Sequence, residues 1–161
     1  MNDDDRTPTP DHFPVTEFTC KGFVGPDGYH QAVPYPHEWE ATRLVVLKAL
    51  LEKIRLALGS HPVTVLCGYR TVEYNMELRR RGIQGERHAT GVALHSQHTE
   101  GRAADICIFG IETVVLLKTI LDQHEAGNLP ELGGVGYYPS LGFVHVDTEK
   151  LADGTLRRWN G

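Results

Sequence analysis

Apolar residues change their spacing several times along the chain, and each change marks an element. From about residue 38 to 58, Leu44, Leu47, Leu51, Ile54 and Leu58 recur at helical spacing with Leu50 alongside. Gly59 follows as a natural C-terminal cap. Pro62 to Cys67 is a short β-branched run and predicts a strand. Thr71 can cap a helix running to about Arg81, ended by Gly82. Residues 83–97 turn polar and predict a loop. Ala103 to Phe109 predicts a buried strand, and Ile111 to about Glu125 a second long apolar helix closed by Gly127. Gly134–Tyr138 and Phe143–Thr148 predict two strands around a tight turn at 139–142.

Helices and short strands mix without strict alternation. That pattern predicts an α+β domain with a small, largely antiparallel sheet and flanking helices. The 161 residues and 40% hydrophobic content suffice for one core. Residues 1–14 are acidic and Pro-rich and predict a flexible leader, leaving 15–161 as a single domain. Residues 15–36, rich in Gly and Pro, predict loops and turns.

The net charge of -5 disfavours nucleic acid as a partner. No stretch approaches the ~20 apolar residues of a membrane span, so no membrane insertion is expected. The first residues have neither a basic n-region nor an apolar h-region, so no signal peptide is expected. Three cysteines, Cys20, Cys67 and Cys107, show no metal or redox spacing. Cys67 and Cys107 lie in apolar runs and predict buried, inert thiols.

The chemistry concentrates in two segments. In Ser96–Ile106, His98 sits on a loop and Asp105 at the mouth of an apolar strand, where a carboxylate is costly to bury without a cation. In Phe143–Asp147, alternation places Phe143, His145 and Asp147 on one strand face. His98, Asp105 and His145 together make two histidines and one carboxylate. Three protein ligands with a fourth position open is the pattern of catalytic zinc, Zn2+.

Further pieces complete a resemblance: Gly68-Tyr69-Arg70, Asn75, Gly133–Pro139, Gly142–Thr148 and Arg157-Arg158-Trp159. In this order they resemble the zinc DD-peptidases that share a fold with the hedgehog signalling domain. That family includes D-Ala-D-Ala carboxypeptidases and murein endopeptidases, and the similar branch occurs also in phage lysis and tail proteins. The resemblance implies a hedgehog/DD-peptidase-like fold, zinc on His98, Asp105 and His145, and hydrolysis of a peptide bond in peptidoglycan stem peptides or cross-links. A monomer is expected, cytoplasmic on synthesis because no signal peptide is seen, and on this resemblance acting on the cell wall after release, as a phage lysin or tail enzyme does. It leaves carboxypeptidase and endopeptidase both open.

By the same resemblance, Arg70 would stabilise the oxyanion or bind a terminal carboxylate; its alternative is a surface ion pair. Many members carry the acid-base three residues before the last histidine, where this chain has Gly142, and another branch carries histidine where this chain has Phe143. Asp147 is therefore expected either as the catalytic base or as the acceptor that fixes a ligand histidine. Glu100 is a third option. Ser96 and Tyr138 (or Tyr137) are expected to touch substrate, while His95 and His88 either line the cleft or sit exposed. The absent acid leaves an alternative, a zinc-bearing binding module for the cell wall or a protein, without turnover.

Overall fold

The architecture is that of a computed structural model, which describes residues 11–24, 28, 30–86, 89 and 91–161. The helix expected at 38–58 is one continuous run. It opens as α1 (His37–Trp39), passes a π-helical stretch over Glu40–Leu44, and continues as α2 (Val45–Ala57). Leu44, Leu47, Leu50, Leu51 and Ile54 are buried on its inner face. Gly59 ends it with a left-handed φ of +73°. The second helix, α3 (Val72–Ile83), starts where Thr71 accepts the Tyr74 amide at 3.2 Å. It runs through Gly82, and Gly85, with φ +89°, takes the left-handed position beyond its end. The last helix is α4 (Thr113–Glu125), with Gly127 at φ +78° behind it.

Two sheets form among the described residues. Cys20–Val24 (β1) and His30–Val33 (β2) make an antiparallel hairpin inside the segment expected to be loops. The main sheet comprises β3 (Val63–Cys67), β4 (Ala103–Ile108), β5 (Gly134–Tyr138), β6 (Phe143–Asp147) and β7 (Arg157–Asn160), in the order β3-β4-β6-β5-β7. All its pairings are antiparallel except β5 with β7. The chain is thus α+β, as the mixed pattern predicted. Phe109, expected at the end of a buried strand, lies one residue past β4 and is 98% exposed.

One face of the main sheet builds the core. Ala104, Ile106, Val144, Val146 and Val135 point into it and meet Leu47, Leu51, Leu116 and Ile120 from α2 and α4. Phe13 is also buried there, and Lys48 pairs with Asp11 at 2.8 Å. Packing therefore includes Asp11 and Phe13, inside the stretch expected to be a leader; residues 1–10 lie outside the described residues. The opposite face of the sheet carries the polar residues.

Candidate metal centre

Strand register brings that polar face together. Cys67 pairs with Asp105, Asp105 with His145, His145 with Gly136, and Gly136 with Trp159, so one row crosses every strand of the sheet. The next row runs Ala103, Asp147, Gly134, Arg157. Opposed residues share a face, which puts the carboxylate of Asp105 beside the imidazole of His145. His98 arrives from the turn before β4. Its carbonyl accepts the amides of Arg70 at 3.1 Å and Gly101 at 3.2 Å, which fixes the loop against the end of β3.

The three donors converge. His98 Nε2 lies 3.1 Å from Asp105 Oδ1 and 3.2 Å from His145 Nδ1, and His145 Nδ1 lies 2.9 Å from Asp105 Oδ1. Three bonds of zinc length from one tetrahedral centre would set ligand atoms about 3.3 Å apart. The outward nitrogens are engaged elsewhere. His98 Nδ1 donates to Gly68 O at 2.7 Å, and His145 Nε2 donates to Asp147 Oδ2 at 3.3 Å. Those bonds leave the inward nitrogens as the ones that can offer lone pairs to a metal once it displaces the proton of His98.

The electrostatics suit a cation. Burial pushes His98 towards the neutral form, but the Asp105 carboxylate and Cys67 outweigh it and raise its pKa to about 10. Burial likewise pushes the Asp105 carboxyl up, and the two imidazoles outweigh it, holding it well below the usual carboxylate range. The donor set is therefore chemically fit to hold a metal ion.

Cys67 corrects an expectation. A regular strand would turn it into the core with Val63 and Val65. A register shift between Val65 and Cys67 turns it to the polar face instead. Half-buried, its Sγ lies 3.4 Å from Arg70 Nη2 and 3.7 Å from His98 Nδ1. Cys67, His98 and Asp105 alone also have metal-ligand spacing. The nearby nitrogen of His98 is, however, the one turned to Gly68, so the thiol lies behind that ring. Cys107 is only half-buried as well, whereas Cys20 is 1% exposed.

A cavity of about 460 Å³ opens over the centre, lined by Arg70, Ser96, Tyr138, Phe143 and Trp159 among others. Arg70 is buried beside it. Its Nη1 donates to Asn75 Oδ1 at 3.0 Å, and Asn75 in turn donates to Ala93 O at 2.9 Å. Its Nη2 lies 3.9 Å from Asp105 Oδ2. Ser96 Oγ accepts the His98 amide at 3.3 Å. Tyr138 stacks on Phe143 at 4.6 Å and accepts the Trp159 indole N–H at 2.9 Å, while Tyr137 packs against the core. His95 also lines the cavity. Glu100 does not; it pairs with Arg43 at 3.1 Å. His88 lies outside the described residues.

Asp147 has no free oxygen. It is 0% exposed; Oδ2 faces His145, and Oδ1 accepts the Glu149 amide at 3.0 Å and Arg157 Nη2 at 2.5 Å. Three residues close to this network had no role in the sequence reading. Gly134 and Gly136 were visible only as part of a glycine motif, and Arg157 only as part of Arg157-Arg158-Trp159. A Cβ on Gly134 would stand 2.3 Å from Asp147 Oδ2, and one on Gly136 2.6 Å from the Trp159 ring. Their period-two spacing clears room on the site face.

An α+β fold with this donor set on the open face of its sheet is consistent with a metallopeptidase domain, and the family comparison gives the class. The model of the family described as peptidoglycan L,D-endopeptidase MepK matches residues 41–159, and the chain belongs to that M15 peptidase family. It is 38% identical over 110 residues to peptidoglycan L,D-endopeptidase MepK of Escherichia coli K12, covering 68% of this chain and 50% of that protein. It is 37% identical over 106 residues to the probable peptidoglycan L,D-endopeptidase MepK of Haemophilus influenzae, covering 66% and 47%. The chain thus spans about half the length of the curated relatives it matches. No solved structure matches.

Proposed function

We propose that this chain is a zinc-dependent endopeptidase of the bacterial cell wall, cutting an L,D-peptide bond in peptidoglycan cross-links. The observation that carries the reading is the convergence of His98 Nε2, Asp105 Oδ1 and His145 Nδ1 within 2.9–3.2 Å, with both outward ring nitrogens tied. The choice of endopeptidase and of substrate rests on the names of the relatives.

His98, Asp105 and His145 would hold the zinc. When bound, it would polarise the scissile carbonyl and make a hydrolytic water available at neutral pH. Arg70 binds the carbonyl oxygen as negative charge develops there. Its guanidinium is always charged, and Asn75 fixes its plane. Tyr138 accepts from Trp159, so its own hydroxyl proton is free to donate to a substrate acceptor. Ser96 accepts from the His98 amide and can donate in the same way.

We assign Asp147 to positioning His145, because both its oxygens are engaged and it is fully buried. The proton carrier must face the cavity. Of the titratable side chains lining it, His95 alone among the described residues is neither in the triad nor hydrogen-bonded, so proton transfer is assigned to His95. Every residue in this scheme comes from one chain, so a monomer suffices. Among the described residues, no helix is long and apolar enough to cross a membrane.

Digestion of purified sacculi with the zinc-loaded protein, followed by mass analysis of muropeptides, tests the reading. Loss of cross-linked species with new termini at an L,D-bond is expected. A protein that binds zinc and wall material but releases nothing would instead be a binding module. The absence of an acid at Gly142, a left-handed turn residue with φ +76°, favours that rival.

A further inference from the structure

We infer that Arg157, on the last strand of the chain, is a positioning residue for the metal centre, acting through Asp147 on His145. This rests on the reading of His98, Asp105 and His145 as zinc ligands. The starting point is the cost of the Asp147 carboxylate. It has no exposure, and burying such a group is unfavourable unless charge and hydrogen bonds compensate. Its three partners are His145 Nε2, the Glu149 amide and Arg157 Nη2. Only Arg157 carries a permanent positive charge.

Arg157 Nη2 bridges Asp147 Oδ1 at 2.5 Å and Glu149 O at 2.7 Å. That grip turns the other carboxylate oxygen, Oδ2, towards His145. The sheet delivers the arginine by register, because Gly134 of β5 pairs with Asp147 on one side and with Arg157 on the other. Gly134 has no side chain to block the approach: a Cβ there would stand 2.3 Å from Asp147 Oδ2. Two residues further along the same strand, Trp159 lies against the His145 ring with centroids 5.2 Å apart. The parallel edge strand β7 therefore supports His145 at two points. A carboxylate partner raises the basicity of a ligand imidazole and fixes its direction, and removing such a partner costs about 10–100-fold in metal affinity. Arg157 would carry part of that effect.

The rival role is mechanical: Arg157 could do no more than fasten β7 to the sheet. Zinc affinity, measured by competition with a chromogenic chelator on the full chain, separates the two. Arg157→Gln is expected to weaken zinc binding about tenfold. Arg158→Gln, a neighbour on the same strand that reaches Glu125 at 3.7 Å, is expected to leave it unchanged. Arg157→Lys should fall between wild type and Arg157→Gln, since it keeps the charge without the planar fork. Because Arg157 acts through Asp147, adding Arg157→Gln to Asp147→Asn should cause little further loss. Wild-type zinc affinity in Arg157→Gln, equal damage from Arg158→Gln, or full additivity with Asp147→Asn would overturn the inference. Should Arg157→Gln fail to fold, Arg157→Lys decides: a loss of about threefold or more supports the inference, and none overturns it. A wild-type chain that binds no zinc would sink the ligand reading itself, and this inference with it.

Discussion

At the scale of single residues, the proposed scheme separates groups that would hold the metal from a group that would move protons. Asp147 and His95 illustrate the difference. Asp147 is sealed beneath His145, so Asp147→Asn keeps the shape while offering an amide where an acceptor for the imidazole N–H is needed. Zinc affinity is expected to fall about 10–100-fold, and turnover at saturating zinc should recover much of its wild-type value. Chelator competition and a zinc titration of activity measure both. His95 is exposed at the cavity wall and is not hydrogen-bonded to His98, Asp105 or His145. His95→Ala should therefore leave zinc affinity alone and lower kcat about 100-fold, the lower range for loss of a general acid-base. Equal kcat in that variant would remove His95 from the scheme. The sequence already showed that Asp147 and His145 share a face, because strand alternation is local. It could not say whether Asp147 faced solvent or protein, because that depends on Arg157 and Gly134, which meet it only through the register of separate strands.

At the scale of elements, what was legible followed from local rules. Leucine spacing in α2, the Thr71 cap of α3 and the glycine beyond α4 each depend on neighbours within a turn or two, and each appears where expected. Three features depend on long-range pairing and left no such trace. The β1–β2 hairpin lies in a segment whose glycines and prolines dominate its pattern. The shift in β3 moves Cys67 from the core to the site. The four residues of β7 owe their strand to β5, not to their own alternation. The Gly134-Val135-Gly136 stretch joins the two scales, since its glycines were visible but their purpose was not. Gly136→Ala would place a methyl 2.6 Å from the Trp159 ring, against an indole held to Tyr138 and packed near His145. Displacing that ring is expected to cost about 1–3 kcal/mol of stability and to detach β7. Urea denaturation should show it, together with a change in Trp159 fluorescence. An unchanged midpoint would mean that the indole shifts freely.

At the scale of the whole molecule, the two faces of the main sheet divide the labour. Ala104, Ile106, Val144 and Val146 hold the core, and the alternating residues Asp105, His145 and Asp147 lie on the other side. The core does not pass through the metal site, so chelation should abolish turnover while leaving the far-UV spectrum intact. Zinc should still stabilise, since a ligand bound only by the folded state adds about 2.7 kcal/mol at a hundredfold excess over Kd. For a chain of this size that is roughly 5–10 °C in Tm. The gain should depend on pH in a definite direction. In the zinc-free protein the His98–Asp105 pair stands in for the ion. The pKa of His98 rises from 6.5 to about 10, so the stability from its protonation is fully present below about 6.5 and is lost as pH climbs through about 10. Asp105 is shifted down from 3.8, so its contribution is present above that value and lost only in acid. Zinc must displace the His98 proton, so raising the pH weakens the competitor and favours the metal. The zinc-induced rise in Tm should accordingly be larger at about pH 8 than at about pH 6, by scanning calorimetry at fixed free zinc. A rise that is equal or smaller at the higher pH would show that zinc binds without displacing that proton, and would remove His98 from the ligand set.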